Sequence, residues 1–123
     1  GKDPGTISES IYEKDINLKI SKALEIELSQ SGATVIMTRD DDYDLSKPNA
    51  RWRKKSDFDN RIKLINNSKA TIYLSIHLNY LTNDAYYGPQ IFYAKEETKN
   101  LATMIQTTLN NKLKTAICFR LAV

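Results

Sequence analysis

The chain has 123 residues, 41% hydrophobic and 27% charged, with four Gly and three Pro. That composition excludes a disordered tail and a Gly/Pro-rich fibre and fits one small globular domain. Eighteen Lys and Arg against fifteen Asp and Glu give a net charge of +3, too mild to call for nucleic acid.

Residues 1–12 carry Pro4, Gly5 and several Ser and Thr and read as a loop. Gly1-Lys2-Asp3-Pro4-Gly5 has neither an initiator Met nor the pattern of a signal peptide, so a chain cut or processed at its N-terminus is expected. A helix begins near Glu13, where Ile16, Ile20, Ala23, Leu24 and Leu28 recur at the spacing of one helical face, and Gly32 stops it. Residues 33–38 (ATVIMT) form a short β-branched run and predict a buried strand. Residues 39–55 are polar and read as a long loop, with Asp40-Asp41-Asp42, Pro48 and the cluster Arg51, Arg53, Lys54 and Lys55. A loop of that length is functional or mobile; with little to pack against, it is expected to be the most mobile internal segment and to lie on the ligand side. Ser56, with Asp59 three residues on, predicts the start of a second helix carrying Phe58, Ile62 and Ile65 as its apolar stripe. Residues 70–76 (ATIYLSI) predict a second strand and 78–88 a loop. Residues 89–94 (PQIFYA) predict a third strand, with Pro89 suited to its first position. A last helix runs from about Glu96 to Leu113, with Leu101, Met104, Ile105 and Leu109 on one face. Residues 115–123 are mostly apolar and are a candidate fourth strand without a preceding turn signal. This alternation predicts an α/β domain of three layers, a mostly parallel sheet flanked by helices. No apolar run approaches the ~20 residues of a membrane span. The single cysteine, Cys118, excludes an internal disulfide and reads as structural.

His77, the one histidine, stands where the 70–76 strand runs out. The carboxyl ends of strands are where open α/β sheets bind ligands, so His77 is either a zinc ligand or a half-buried side chain bonded to a carbonyl. Glu13 opens the first helix, where the helix dipole favours a carboxylate whatever its function. The cations around Trp52 fit either a patch for an anionic polymer or a solvated loop whose charges balance Asp40 to Asp44. The Asp-rich run lacks the central Gly and closing Glu of a calcium loop.

Several segments in order carry a resemblance. They are Glu13-Lys14-Asp15 with Asn17-Leu18, Ser31-Gly32-Ala33 with Thr38-Arg39-Asp40, Arg61 ahead of Asn66-Asn67, Ser75-Ile76-His77-Leu78-Asn79, and Gly88 ahead of Ile91-Phe92-Tyr93. The series resembles the zinc-dependent N-acetylmuramoyl-L-alanine amidases of bacterial cell-wall turnover. The stretch from Asn49 through Asn79, with its Arg-Trp-Arg-Lys-Lys run, looks like their germination-specific spore-cortex branch. The resemblance runs from Gly1 to about Leu113, and residues 115–123 depart from it. It implies that residues 1–123 are one partial amidase catalytic domain. It further implies that Glu13 and His77 are ligands of one Zn2+ and that Arg61 and Asn79 contact substrate. Peptidoglycan would be the partner, in an extracytoplasmic place such as the cell wall or spore cortex. Glu13 and His77 are then expected to converge to within roughly 3–5 Å, as ligands of one zinc must. The family's first zinc His and its general acid–base Glu find no match here, so a chain truncated at both ends is expected. With no catalytic residue matched, these 123 residues are expected to hydrolyse no muramoyl-L-alanine bond at a useful rate. The alternative is a non-catalytic remnant or pseudoenzyme that binds peptidoglycan or a partner.

Overall fold

The computed structural model describes residues 3–8, 10–78, 88–113 and 119–122. They fall into two compact units, Gly1–Thr71 and Ile72–Val123. Helix and strand are mixed, as expected for an α/β chain.

The first unit opens on a small antiparallel ribbon, β1 (Ile7–Ser8) and β2 (Ile11–Tyr12), with Ile7 opposite Tyr12 and Ser8 opposite Ile11. Two-residue strands are too short to leave a periodic signal, so the sequence reads this segment as loop. Helix α1 (Glu13–Gln30) follows at once, starting where its apolar spacing begins. A helix leaves its first N–H groups without intrahelical partners. Here the N–H of Glu13 donates to the Thr6 carbonyl at 2.9 Å and that of Lys14 to the Pro4 carbonyl at 3.1 Å. The N-terminal segment therefore caps α1 with its own backbone, and Tyr12 at the N-cap makes no side-chain cap bond. The helix stops at Ser31, and Gly32 takes φ of +90°, as a C-terminal glycine should.

The expected strand over 33–38 is corrected. Residues 33–37 carry no regular secondary structure, and among the described residues they pair with no strand. β-Branched residues favour extended backbone, but a strand exists only through its ladder partner. The second helix, α2 (Arg53–Ser68), begins three residues before the expected Ser56. The N–H of Ser56 already donates to the Trp52 carbonyl at 2.9 Å, and the Ser56 hydroxyl instead accepts the N–H of Lys47 at 2.9 Å. Lys69 closes α2 in the left-handed region, at φ of 54°.

The second unit holds β3 (Ser75–Leu78), β4 (Pro89–Phe92), a 3-10 turn at Glu96–Thr98, α3 (Lys99–Lys112) and β5 (Phe119–Ala122). The sheet order is β3-β5-β4, with β5 antiparallel to β3 and parallel to β4. The apolar tail is thus the central strand, and the 70–76 strand shortens and shifts to 75–78. The described sheet has one parallel and one antiparallel pairing rather than a mostly parallel set. Edge strand β4 is closed by one side chain: Gln106 of α3 accepts the Ile91 N–H and donates to the Pro89 carbonyl, both at 2.8 Å. Its amide stands in for the peptide group of a neighbouring strand. Ala102 of α3 is buried, at 4% exposure, as is Pro89 of β4. Asn79, Cys118 and most of the expected 78–88 loop lie outside the described residues.

Candidate metal centre

Glu13 is the buried charged residue of the described chain, at 9% exposure. A buried carboxylate needs hydrogen-bond donors to stay ionised. Oε2 accepts the Thr6 N–H at 2.8 Å, and Oε1 accepts the side-chain amide of Asn17 at 3.2 Å. Asn17 is four residues on, one helical turn along the same face. The strap that brings Thr6 there turns at Gly5, whose φ is +69°. A Cβ on Gly5 would stand 2.5 Å from Glu13 Oε2 and 2.8 Å from Glu13 Cβ. No L side chain fits that space or favours that backbone. Asp3 sets the turn by accepting the Gly5 N–H at 3.0 Å. That bond, then the one from Lys54, holds the Asp3 carboxyl below its ordinary value.

His77 lies in β3 of the second unit, exposed and opposite Arg120 of β5. Arg61 of α2 donates to Thr38 Oγ1 at 3.1 Å and to Asp57 Oδ2 at 2.9 Å, tying the 33–38 segment to the helix. Asn79, the other expected substrate contact, is outside the described residues. Among the described residues, no group of three or more His, Cys, Asp and Glu stands together. Thr6, Gly5 and Asn17 are given no role by the sequence alone, although Asn17 stands in one of the segments that carry the resemblance. The one signal was Asn17 at a four-residue step from Glu13, on the same helical face.

The 39–55 segment is tied down more than its polarity suggests. Lys14 Nζ donates to both Asp42 oxygens, at 2.9 and 2.8 Å. This holds the Asp42 carboxyl down at about 2 and pulls the Lys14 amine up. Arg39 donates to the Lys14 carbonyl. Arg53 Nε donates to Asp44 Oδ2 at 2.9 Å, and Ser46 donates twice to Asp44 Oδ1. Partial burial would raise the Asp44 carboxyl, but the bonds from Ser46 and Arg53 outweigh it and hold the group well below its usual range. Of the four clustered cations, Arg53, Lys54 and Lys55 pair with Asp44, Asp3 and Asp59, and Arg51 lies over the Trp52 ring at 5.6 Å. Of these partners Asp44 alone belongs to the Asp40 to Asp44 run, so that run balances the cluster only in part. No helix among the described residues is long and apolar enough to cross a membrane.

Comparison with known proteins bears on the same segments. The germination-specific N-acetylmuramoyl-L-alanine amidase of Bacillus subtilis is 37% identical over 119 residues, covering 93% of this chain and 50% of that protein. The uncharacterized protein YqiI of the same organism is 29% identical over 118 residues, covering 94% of this chain and 52% of that protein. The probable cell wall amidase LytH of Staphylococcus aureus is 31% identical over 115 residues, covering 91% of this chain and 34% of that protein. The chain spans about half the length of the first two relatives. No solved structure matches. The family described as N-acetylmuramoyl-L-alanine amidase matches residues 1–119, which include both Glu13 and His77. The chain therefore belongs to the N-acetylmuramoyl-L-alanine amidase family.

Proposed function

We propose that the protein carrying these residues is a zinc-dependent N-acetylmuramoyl-L-alanine amidase that acts on peptidoglycan. What carries this reading is Glu13, a carboxylate buried at the start of α1 and gripped by N–H donors inside the stretch that matches the family. A carboxylate and an imidazole are a donor pair suited to zinc, so Glu13 and His77 would hold the metal. The zinc would acidify a bound water and polarise the scissile carbonyl. Hydrolysis breaks the amide C–N bond between the lactyl group of muramic acid and L-alanine. Water gives its hydroxyl to the carbonyl carbon and a proton to the leaving amine. Arg61 and Asn79 would contact the substrate; the Arg61 guanidinium carries five N–H donors, of which Thr38 and Asp57 engage two. For the whole protein the family reading implies a three-layer fold with a mostly parallel sheet. The names of the relatives, a germination-specific amidase and a probable cell wall amidase, support an extracytoplasmic site of action at the cell wall or spore cortex.

The test is to incubate the purified protein with zinc and cortex peptidoglycan and follow free stem peptides that begin with L-alanine. Peptide release that vanishes in Glu13→Gln and in His77→Ala is the expected result for the whole protein. Sacculi that bind without any peptide release would favour the non-catalytic reading instead. Release that survives both substitutions would sink the metal assignment.

A further inference from the structure

We infer that Asn17 is a positioning residue for Glu13, fixing the carboxylate for a metal ion; the inference rests on the amidase reading above. The Asn17 amide donates to Glu13 Oε1 at 3.2 Å. Turning the amide over would set Oδ1 against the carboxylate, two acceptors face to face, so the donor assignment follows from chemistry. Asn17 Oδ1 is then buried, and no donor among the described residues reaches it. Buried acceptors without a donor are few in native proteins, and each is costly. An acceptor kept at that cost beside a gripped carboxylate is suited to a donor that arrives with a ligand, such as a water or an amide N–H.

The other side of Glu13 is fixed just as firmly. The Thr6 N–H holds Oε2 at 2.8 Å, and Gly5, by lacking a Cβ, leaves the space that the Glu13 side chain fills. Two donors on two oxygens set both the position and the rotation of the carboxylate plane. Side chains that orient a metal ligand in this way typically contribute 10–100-fold to metal affinity.

The test measures zinc affinity of the purified protein by competition with a chromophoric chelator, alongside thermal unfolding of the metal-free form. Four proteins are compared: wild type, Glu13→Gln, Asn17→Leu and Asn17→Gln. The expected result is a loss of zinc affinity of about 10–100-fold in Asn17→Leu. The metal-free melting temperature should change little, because losing the unsatisfied acceptor offsets losing the amide donor to Glu13. Asn17→Gln, which keeps an amide, should recover part of the affinity. Wild-type affinity in Asn17→Leu, with affinity lost in Glu13→Gln, would overturn this inference and leave the metal reading standing. A fall in affinity that tracks a fall in melting temperature, with no recovery in Asn17→Gln, would reduce Asn17 to a structural part and also overturn it. A wild type that binds no zinc, or binds it no better than Glu13→Gln, would overturn both readings together.

Discussion

Gly5 shows how little room a single position can have. It combines a φ of +69° with the Glu13 carboxylate against its α-carbon. Gly5→Ala places a methyl in contact with Glu13 and forces an L residue into the left-handed region, which alone costs roughly 1–2 kcal/mol. We expect the unfolding free energy from urea titration to fall by that amount or more, and an unchanged value would contradict the geometry. Asp42 offers a second test at this scale, through pH. Its carboxyl lies at about 2 in the folded state, below the ordinary 3.8, with Lys14 the largest cause. A depressed folded value means that the pair's contribution is complete above the unfolded value near 3.8 and is lost as pH falls toward 2. The pair is exposed, so salt will weaken it. An NMR titration should put the Asp42 midpoint near 2 in wild type and return it toward 3.8 in Lys14→Met. Equal midpoints in the two proteins would show that Lys14 is not the cause.

Helices in this chain were legible because their signals are local. The spacing of Ile16, Ile20, Leu24 and Leu28 lies within one element, and α1 starts at Glu13 as that spacing predicts. Strands were less legible because each depends on a partner distant in sequence. Residues 33–37 look like a strand and pair with none among the described residues, whereas the tail over 119–122 gave no turn signal and sits at the centre of the described sheet. The 39–55 segment reads as mobile from its polarity, yet its backbone is anchored: the Leu45 N–H donates to Asp57 Oδ1 at 2.7 Å, the Leu45 carbonyl accepts from Asn60, and the Lys47 N–H donates to Ser56. These bonds tie the backbone at Leu45 and Lys47 and leave mobility across the segment to be measured. Hydrogen exchange should find the Leu45 and Lys47 amides protected relative to Asp41 and Asn49, and uniform fast exchange would restore the mobile reading. The edge of β4 yields a sharper prediction. Gln106→Leu leaves the Ile91 N–H and the Pro89 carbonyl without their side-chain partner, a cost of about 1–3 kcal/mol. The same change bares a strand edge, so the variant should both unfold earlier in urea and aggregate more readily than wild type.

For the molecule as a whole, the sequence singled out Glu13 and His77 as candidates because five short segments share the order of one family, and the matched range spans both positions. The residues that grip Glu13 could not be named. Thr6 acts through its backbone and Gly5 through the side chain it lacks, and neither property shows in a residue's identity. The apolar faces were read as patterns, and they are half-buried in part and exposed in part. Phe58 and Ile62, the expected stripe of α2, are 53% and 54% exposed, and Ile26 and Ile36 of the same unit are exposed as well. Single exposed apolar residues are ordinary, but a helix that turns most of its stripe to solvent is not. Burying a Phe or Ile side chain contributes about 1.5–3 kcal/mol, so stripes left in water withhold a large part of a small unit's stability. We therefore expect the isolated 123 residues to bind an apolar dye such as ANS in native buffer and to self-associate as concentration rises. Sedimentation velocity across a dilution series checks the second point. The double substitution Phe58→Ser and Ile62→Ser should reduce both signals while leaving the helical circular dichroism in place, since neither side chain is packed away. A monomer that shows no dye binding would mean that these faces are covered within the chain in solution, and that the first unit is better packed than its exposed stripe indicates.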